Sequence, residues 1–195
     1  MLTHQGTREL HTERLRLRKY LLSDSEAMYK NYATDERVAR FMTWKPYKCI
    51  ESLSSYISTQ IDSYTNDNVY HWAIELNNEV IGGIGVYFID KKNHTCEIGY
   101  CIGYDFWNKG IISEASLAVM GFLFGEVGMY RIMAIHDVEN PASGKVMIKC
   151  GMAYEGKLRK HFLRHDGSRS DALVYGILKD EFINTQKLGR DCING

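Results

Sequence analysis

The sequence predicts an α+β fold built around one mixed, mostly antiparallel sheet flanked by helices. Hydrophobic periodicity changes along the chain in the order β-α-α-β-β-β-α-β-α-β-β, without the strict alternation of a doubly wound fold. Residues 102–115 read as a strand end, a loop with two glycines and the first turn of an apolar helix. The 195 residues, 45% of them hydrophobic and only two of them proline, suit one domain with one core.

Each element has a local reason. Residues 12–20 alternate polar and apolar, as a strand does. Ser23-Asp24-Ser25-Glu26 has the form of a capping box, so a helix is expected from there to about Thr34. Residues 41–47 form a loop with aromatics around Pro46. Leu53, Tyr56, Ile57, Ile61 and Tyr64 then fall at helical spacing, ending near Asn66. Residues 70–76 and 80–89 are strands around the turn Asn77-Asn78-Glu79. A strand from Thr95 to Gly103 leads into a helix from Ile112 to about Gly125, apolar nearly all round and therefore placed in the core. Arg131 to Val138 is a strand, and Ala142 to Cys150 a short helix closed by Gly151. Residues 154–164 and 172–178 form a closing hairpin around His165-Asp166-Gly167-Ser168. The domain is expected to span 1–182, and 183–195 to be a polar tail.

Composition excludes several classes. Lysine plus arginine and aspartate plus glutamate number 24 each, which argues against nucleic acid as a direct ligand. No apolar run is long enough to span a membrane, and no secretory signal is visible. The five cysteines are scattered and never spaced C-x-x-C, which fits a cytoplasmic, reducing location. His161-x-x-x-His165 is the one histidine pair at a ligand spacing. On a strand these residues stand roughly 13 Å apart, so no metal is expected.

The loop before the long helix suits an anion. A helix N-terminus presents free N–H groups and the positive end of its dipole. The loop has neither G-x-x-x-x-G-K-[ST] nor G-x-G-x-x-G, so its cradle would be the main chain from Lys109 to Glu114. The plainer alternative is that Gly110 only permits a tight turn. A second junction lies at Asn140-Pro141-Ala142-Ser143, with Lys149-Cys150-Gly151-Met152 behind it. Asn140 and Ser143 could equally be turn and cap residues.

Together these stretches resemble a family. Thr12-Glu13-Arg14-Leu15-Arg16-Leu17-Arg18, Glu97-Ile98-Gly99-Tyr100, residues 107–115, Glu139-Asn140-Pro141-Ala142-Ser143, Lys149-Cys150-Gly151-Met152 and Glu155-Gly156 are similar to the GNAT acetyltransferase superfamily, in its RimJ/RimL-type branch. The likeness covers about residues 12–182. It implies a GNAT-like acyl-CoA N-acyltransferase fold, with the sheet splayed at the Glu97–Gly103 strand and acetyl-CoA in the cleft. Pantetheine would meet backbone at Ile102, Gly103 and Tyr104, with Asn140 on its amide. The pyrophosphate would sit over Lys109, Gly110, Ile111, Ile112, Ser113 and Glu114, with Trp107, Asn108 and Lys149 beside it. The superfamily loop reads Q/R-x-x-G-x-G/A. Here Trp107 and Ile112 hold the first and last positions, which removes one polar phosphate contact.

Amide formation needs a neutral amine, a donor for the thioester oxygen and a hydrogen bond for the departing sulfur. The resemblance implies Glu97 as the base, acting through water, and Ser143 as the donor to sulfur. Glu97 could instead only order the strand edge. The acceptor would lie between the 41–47 loop and the final hairpin, near Trp44, Tyr47 and Tyr100. The absence of an acidic run there favours an α-amine at a protein or peptide N-terminus. A small-molecule amine (antibiotic, polyamine or amino acid) is the alternative, and a non-catalytic CoA-binding module is another. Oligomeric state, a homodimer included, is left open.

Overall fold

A computed structural model describes residues 1–165 and 167–191, the last six by backbone alone. In chain order the elements are β1 (Leu10–His11), β2 (Leu15–Arg18), α1 (Asp24–Met28), α2 (Glu36–Ala39), α3 (Ile50–Ser63), β3 (His71–Leu76), β4 (Glu79–Asp90) and β5 (Thr95–Ile102). Then follow α4 (Ile111–Phe122), β6 (Arg131–Asp137), α5 (Pro141–Lys149), β7 (Ala153–Leu163), β8 (Arg169–Leu178) and α6 (Lys179–Asp191). Wider π-type turns extend α1 through Tyr29–Ala33 and α4 through Leu123–Val127.

The strands make one sheet in the order β1-β2-β3-β4-β5-β6-β8-β7. Every neighbouring pair is antiparallel except β5–β6, which run parallel and pair only at Thr95–Arg131, Cys96–Ile132 and Glu97–Met133. Past Glu97 the two strands part, which opens the sheet as expected. α4 covers one face. Its Ile111, Ala115, Val119 and Met120 are buried with Trp72, Ile74, Ile98 and Ile132 of the strands. Each fully buried side chain of this size contributes about 1.5–3 kcal/mol. α1 and α3 cover part of the other face through Met28, Tyr32, Leu53 and Ile57.

The structure corrects one local reading and adds detail at two other places. Ser23 does not cap α1: it is itself helical in backbone and its side chain makes no cap bond. The neighbouring Asp24 carboxylate instead accepts from Leu21 N–H, ahead of the helix, at 2.8 Å and from both terminal nitrogens of Arg18 at 2.8 Å. Arg18 also donates to Glu75 at 2.6 Å, so this buried cluster locks β2, β3 and α1 together. The one-turn α2, capped by Asp35, was not anticipated. The expected polar tail is helical from residue 183 to Asp191, and Phe182 just before it is buried with its ring tilted 5.3 Å from that of Phe124. A mostly polar sequence hides that single contact. Residues 192–195 of that tail, and Asp166 of the expected turn, lie outside the described residues.

Candidate active site

The opened edge of β5 begins the site. Gly103 N–H donates to Ile81 O at 2.9 Å, which fixes the alternation of the antiparallel ladder. The polar groups of residues 99, 101 and 103 therefore face β4, and those of 98, 100 and 102 face the gap. Trp107 spans the loop after β5: its indole N–H donates to Ile102 O at 3.0 Å and its ring lies 4.9 Å from Tyr104. Ile102 O, expected to meet pantetheine, is thus already bonded within the chain. Trp107, where the superfamily carries a polar side chain, is a brace for the loop.

Asn108 (φ 59°) and Gly110 (φ 74°) take left-handed backbone and turn the chain into α4. No side chain caps that helix, so N–H groups of its first turn are left for a ligand. Glu114 turns its carboxylate the other way. It accepts from Thr12 Oγ1 (2.5 Å), Arg14 N–H (3.0 Å) and Arg14 Nε (2.7 Å). Burial alone would raise its pKa, but these donors outweigh burial and hold it below the usual carboxylate range. Arg14 also donates to Lys109 O at 3.0 Å. A Cβ on Gly110 would lie 3.6 Å from Lys149 Nζ and 3.7 Å from the Arg14 guanidinium. Two cations therefore flank the one position where the backbone has no side chain, beside a helix N-terminus. That combination suits a pyrophosphate. Arg14 partners residues some hundred positions away, so its part in the loop left no local signal.

A groove of about 310 Å³ runs from this loop along α5, lined by Lys145 and Lys149 on one side and Trp107 to Ser113 on the other. Lys145 was not anticipated. The groove meets a second, larger cavity of about 780 Å³ on the far side of the sheet. Tyr100, Cys101, Asn140 and Ser143 line both.

At that junction Asn140, not Ser143, caps α5: its Oδ1 accepts from Ser143 N–H at 3.3 Å. The Ser143 hydroxyl is left to face the junction. It donates to Tyr100 Oη at 3.0 Å, while the Tyr100 hydroxyl donates to Ser143 O at 3.1 Å. Burial raises the Tyr100 pKa, more than the Ser143 hydrogen bond lowers it, so the phenol stays protonated at neutral pH.

Glu97 lies on the wall of the larger cavity, half-buried, with no hydrogen-bond or ion-pair partner among the described residues. Burial pushes its carboxyl above the usual range, and nearby His161 offsets this only in part. The other carboxylate on the wall, Asp137, is occupied by Arg164 (2.9 Å), the Ser170 hydroxyl (2.5 Å) and Glu139 N–H (2.9 Å). Trp44 and Tyr47 stand opposite, their rings 6.0 Å apart. An outer clasp holds this wall. Arg40 and Arg164 share Glu139 at 2.8 and 2.9 Å, and His165 donates to Trp44 O at 2.9 Å. Tyr20, Tyr32, Tyr56 and Tyr87 also line the cavity. Periodicity alone places Tyr56 among helical core positions, and nothing local marks the others.

A sheet opened between two parallel strands, with a cationic helix N-terminus at one end of the gap and an unpaired carboxylate at the other, defines an acyl-CoA-dependent transferase. Residues 14–153 match the acetyltransferase (GNAT) domain model, and the chain belongs to that family. It is 34% identical over 172 residues to uncharacterized N-acetyltransferase YoaA of Bacillus subtilis (strain 168), covering 87% of this chain and 96% of the relative. It is 30% identical over 175 residues to uncharacterized N-acetyltransferase p20 of Bacillus licheniformis, covering 89% and 97%. The crystal structure of a GNAT-family acetyltransferase from Bacillus anthracis superposes with a TM-score of 0.77 at 28% identity, over 89% of this chain and 99% of that one. The protein is an acetyl-CoA-dependent N-acetyltransferase.

Proposed function

We propose that the acetyl group passes directly, in a ternary complex, to an α-amine at a protein or peptide N-terminus, as in the RimJ/RimL-type branch. The observation that carries this reading is the meeting of two cavities at Ser143 and Tyr100, with Glu97 the one unpaired carboxylate on the acceptor side among the described residues. The amine lone pair attacks the thioester carbonyl. Its proton leaves through water to Glu97, and the C–S bond breaks with its electron pair on sulfur. The Ser143 hydroxyl, turned from Tyr100 toward the groove, donates to that sulfur. Arg14, Lys149 and the α4 N-terminus hold the phosphates, and Asn140 meets the pantetheine amide. These donors act most strongly where charge develops.

Proton energetics favour the α-amine. Deprotonating an amine of pKa near 7.8 at pH 7 costs about 1 kcal/mol, against about 4–5 kcal/mol for one near 10.4. A single carboxylate suits the first better than the second. The four described cysteines are free, which accords with a cytoplasmic setting. No helix among the described residues is long and apolar enough to cross a membrane.

The test is free-thiol release from acetyl-CoA with a panel of N-terminal peptides, lysine peptides, polyamines and small amines. Faster turnover of N-terminal peptides supports the reading. A flat trace across the panel, with tight CoA binding retained, would replace it with a non-catalytic CoA-binding module.

A further inference from the structure

The floor of the acceptor cavity lets aromatic side chains approach the sheet closely. Gly83 and Gly85 sit two apart on β4, and Gly99 lies opposite Gly85 on β5. Gly83 and Gly99 line the cavity, and Gly85 shares their face of the sheet. A Cβ at each would collide with a ring: at Gly83 with the Tyr20 hydroxyl (2.1 Å), at Gly85 with His71 (2.4 Å), at Gly99 with Tyr87 (2.8 Å). Glycine inside a strand weakens it, so three at one spot mark a place where something must approach closely. Here that something is a set of rings.

Tyr87 is the unpaired residue of a β-bulge. The ladder pairs Val86 with Ile98 and Phe88 with Glu97, leaving Tyr87 between them. Bulges beside active sites re-aim a side chain. The Tyr87 ring lies 5.5 Å from His71, next to the strand that carries Glu97, and keeps 67% of its surface free. Tyr56 and Tyr47, with rings 6.4 Å apart, face it from α3 and the 41–47 loop. Among the described residues no lysine or arginine lines the cavity, and its one unpaired carboxylate is Glu97.

Charge and shape then restrict the acceptor. One carboxylate balances one ammonium. A polyamine would bring further ammonium groups with no counter-charge, and a free amino acid would bring a carboxylate with no lysine or arginine to meet it. Aromatic faces favour flat apolar groups and the ammonium beside them. Resting on the acetyl-transfer reading above, we infer that the acceptor is a monocationic primary amine carried on an uncharged aromatic body, which stacks on the Tyr87 shelf while its nitrogen reaches Glu97. An arylalkylamine and a peptide with an aromatic first residue share this chemistry.

The experiment compares 2-phenylethylamine, ethylamine, spermidine, free phenylalanine, and amidated tripeptides beginning with Phe or Ala, at fixed acetyl-CoA. The expected result is a kcat/KM at least tenfold higher for 2-phenylethylamine or the Phe tripeptide than for ethylamine, the Ala tripeptide, spermidine or phenylalanine. Which aromatic acceptor leads identifies the source. Tyr87→Ala should remove the aromatic preference by raising the acceptor KM, leaving the KM for acetyl-CoA unchanged, and Tyr87→Phe should keep the preference. Equal or faster turnover of spermidine, free phenylalanine or the Ala tripeptide overturns the inference. If no amine is turned over, the transfer reading fails, and calorimetry of 2-phenylethylamine and ethylamine on the CoA-loaded protein decides the shelf. Tenfold tighter binding of the aromatic amine, lost in Tyr87→Ala, upholds the shelf, and equal binding sinks it.

Discussion

Replacing Glu97 with glutamine tests the site and the energetics of its burial together. Glutamine keeps the size of the side chain and its oxygen but cannot take a proton. Glu97 stands half-buried on the cavity wall without a hydrogen-bond or ion-pair partner among the described residues, and burial raises its pKa. The sign of the stability effect follows from linkage. A carboxyl with a raised folded-state pKa stabilises the fold at pH values below its unfolded pKa, where it is protonated in both states. That contribution is lost as pH rises through the folded pKa. At pH 7 the wild-type chain therefore carries the burden of a half-buried charge, and Glu97→Gln should melt at a higher temperature, with the difference vanishing in acid. Activity should move the other way. A general base contributes about 10²–10⁴-fold, so kcat/KM at pH 7 should fall by that factor. Raising the pH should restore part of the rate, near pH 8 for an α-amine acceptor and above about pH 10 for a lysine-like or polyamine acceptor. Thiol release across pH 6–10, beside thermal melts at each pH, measures both effects. A mutant with wild-type rate at pH 7 would show that another group or bulk water takes the proton. An unchanged melting temperature would show that Glu97 is solvated in the folded chain.

Gly110→Asp puts a carboxylate beside Lys149 and Arg14 at a left-handed position, where it would occupy the place proposed for the pyrophosphate. Calorimetry should show at least tenfold weaker CoA binding, about 1.4 kcal/mol, in a folded protein. Ser143→Ala should lower kcat more than it changes the KM for acetyl-CoA, with little effect on melting, because Asn140 supplies the cap of α5. A fall in melting temperature without loss of kcat would make the hydroxyl structural. Asp24→Ala removes two of the hydrogen bonds of Arg18 and the acceptor of Leu21 N–H from the buried cluster, leaving the guanidinium to Glu75, and should destabilise the chain by about 3 kcal/mol in urea unfolding.

The features legible in the sequence were those that repeat locally. Period-2 and period-3.6 patterns located most strands and helices, and Gly110 and Asn140 each marked a junction that the structure brings to one groove. What stayed hidden depends on distant partners. Arg14 reads as one more basic residue on an alternating strand until Lys109 and Glu114 arrive with the start of α4, some hundred positions on. Gly83 and Gly85 of β4 and Gly99 of β5 suggest only weak strand propensity until Tyr20, His71 and Tyr87 fill the space above them. Ser23 fits the capping motif, yet its own backbone is helical and its side chain makes no cap bond, while Asp24 beside it is held by Arg18, a partner that no local motif records. The terminal helix was missed because one buried phenylalanine among polar residues gives almost no periodic signal.

The short pairing of β5 with β6 has a mechanical meaning. Three residue pairs are the sheet's whole hydrogen-bonded seam between its first five strands and its last three. The gap beyond that seam is where the two blocks can breathe against each other, since no ladder resists their separation there. A molecule lying in the gap, held by the α4 loop on one bank and by α5 on the other, ties the blocks together. Filling the groove would thus set the stiffness of the whole sheet, and the chain would open most readily at the place where its reaction occurs.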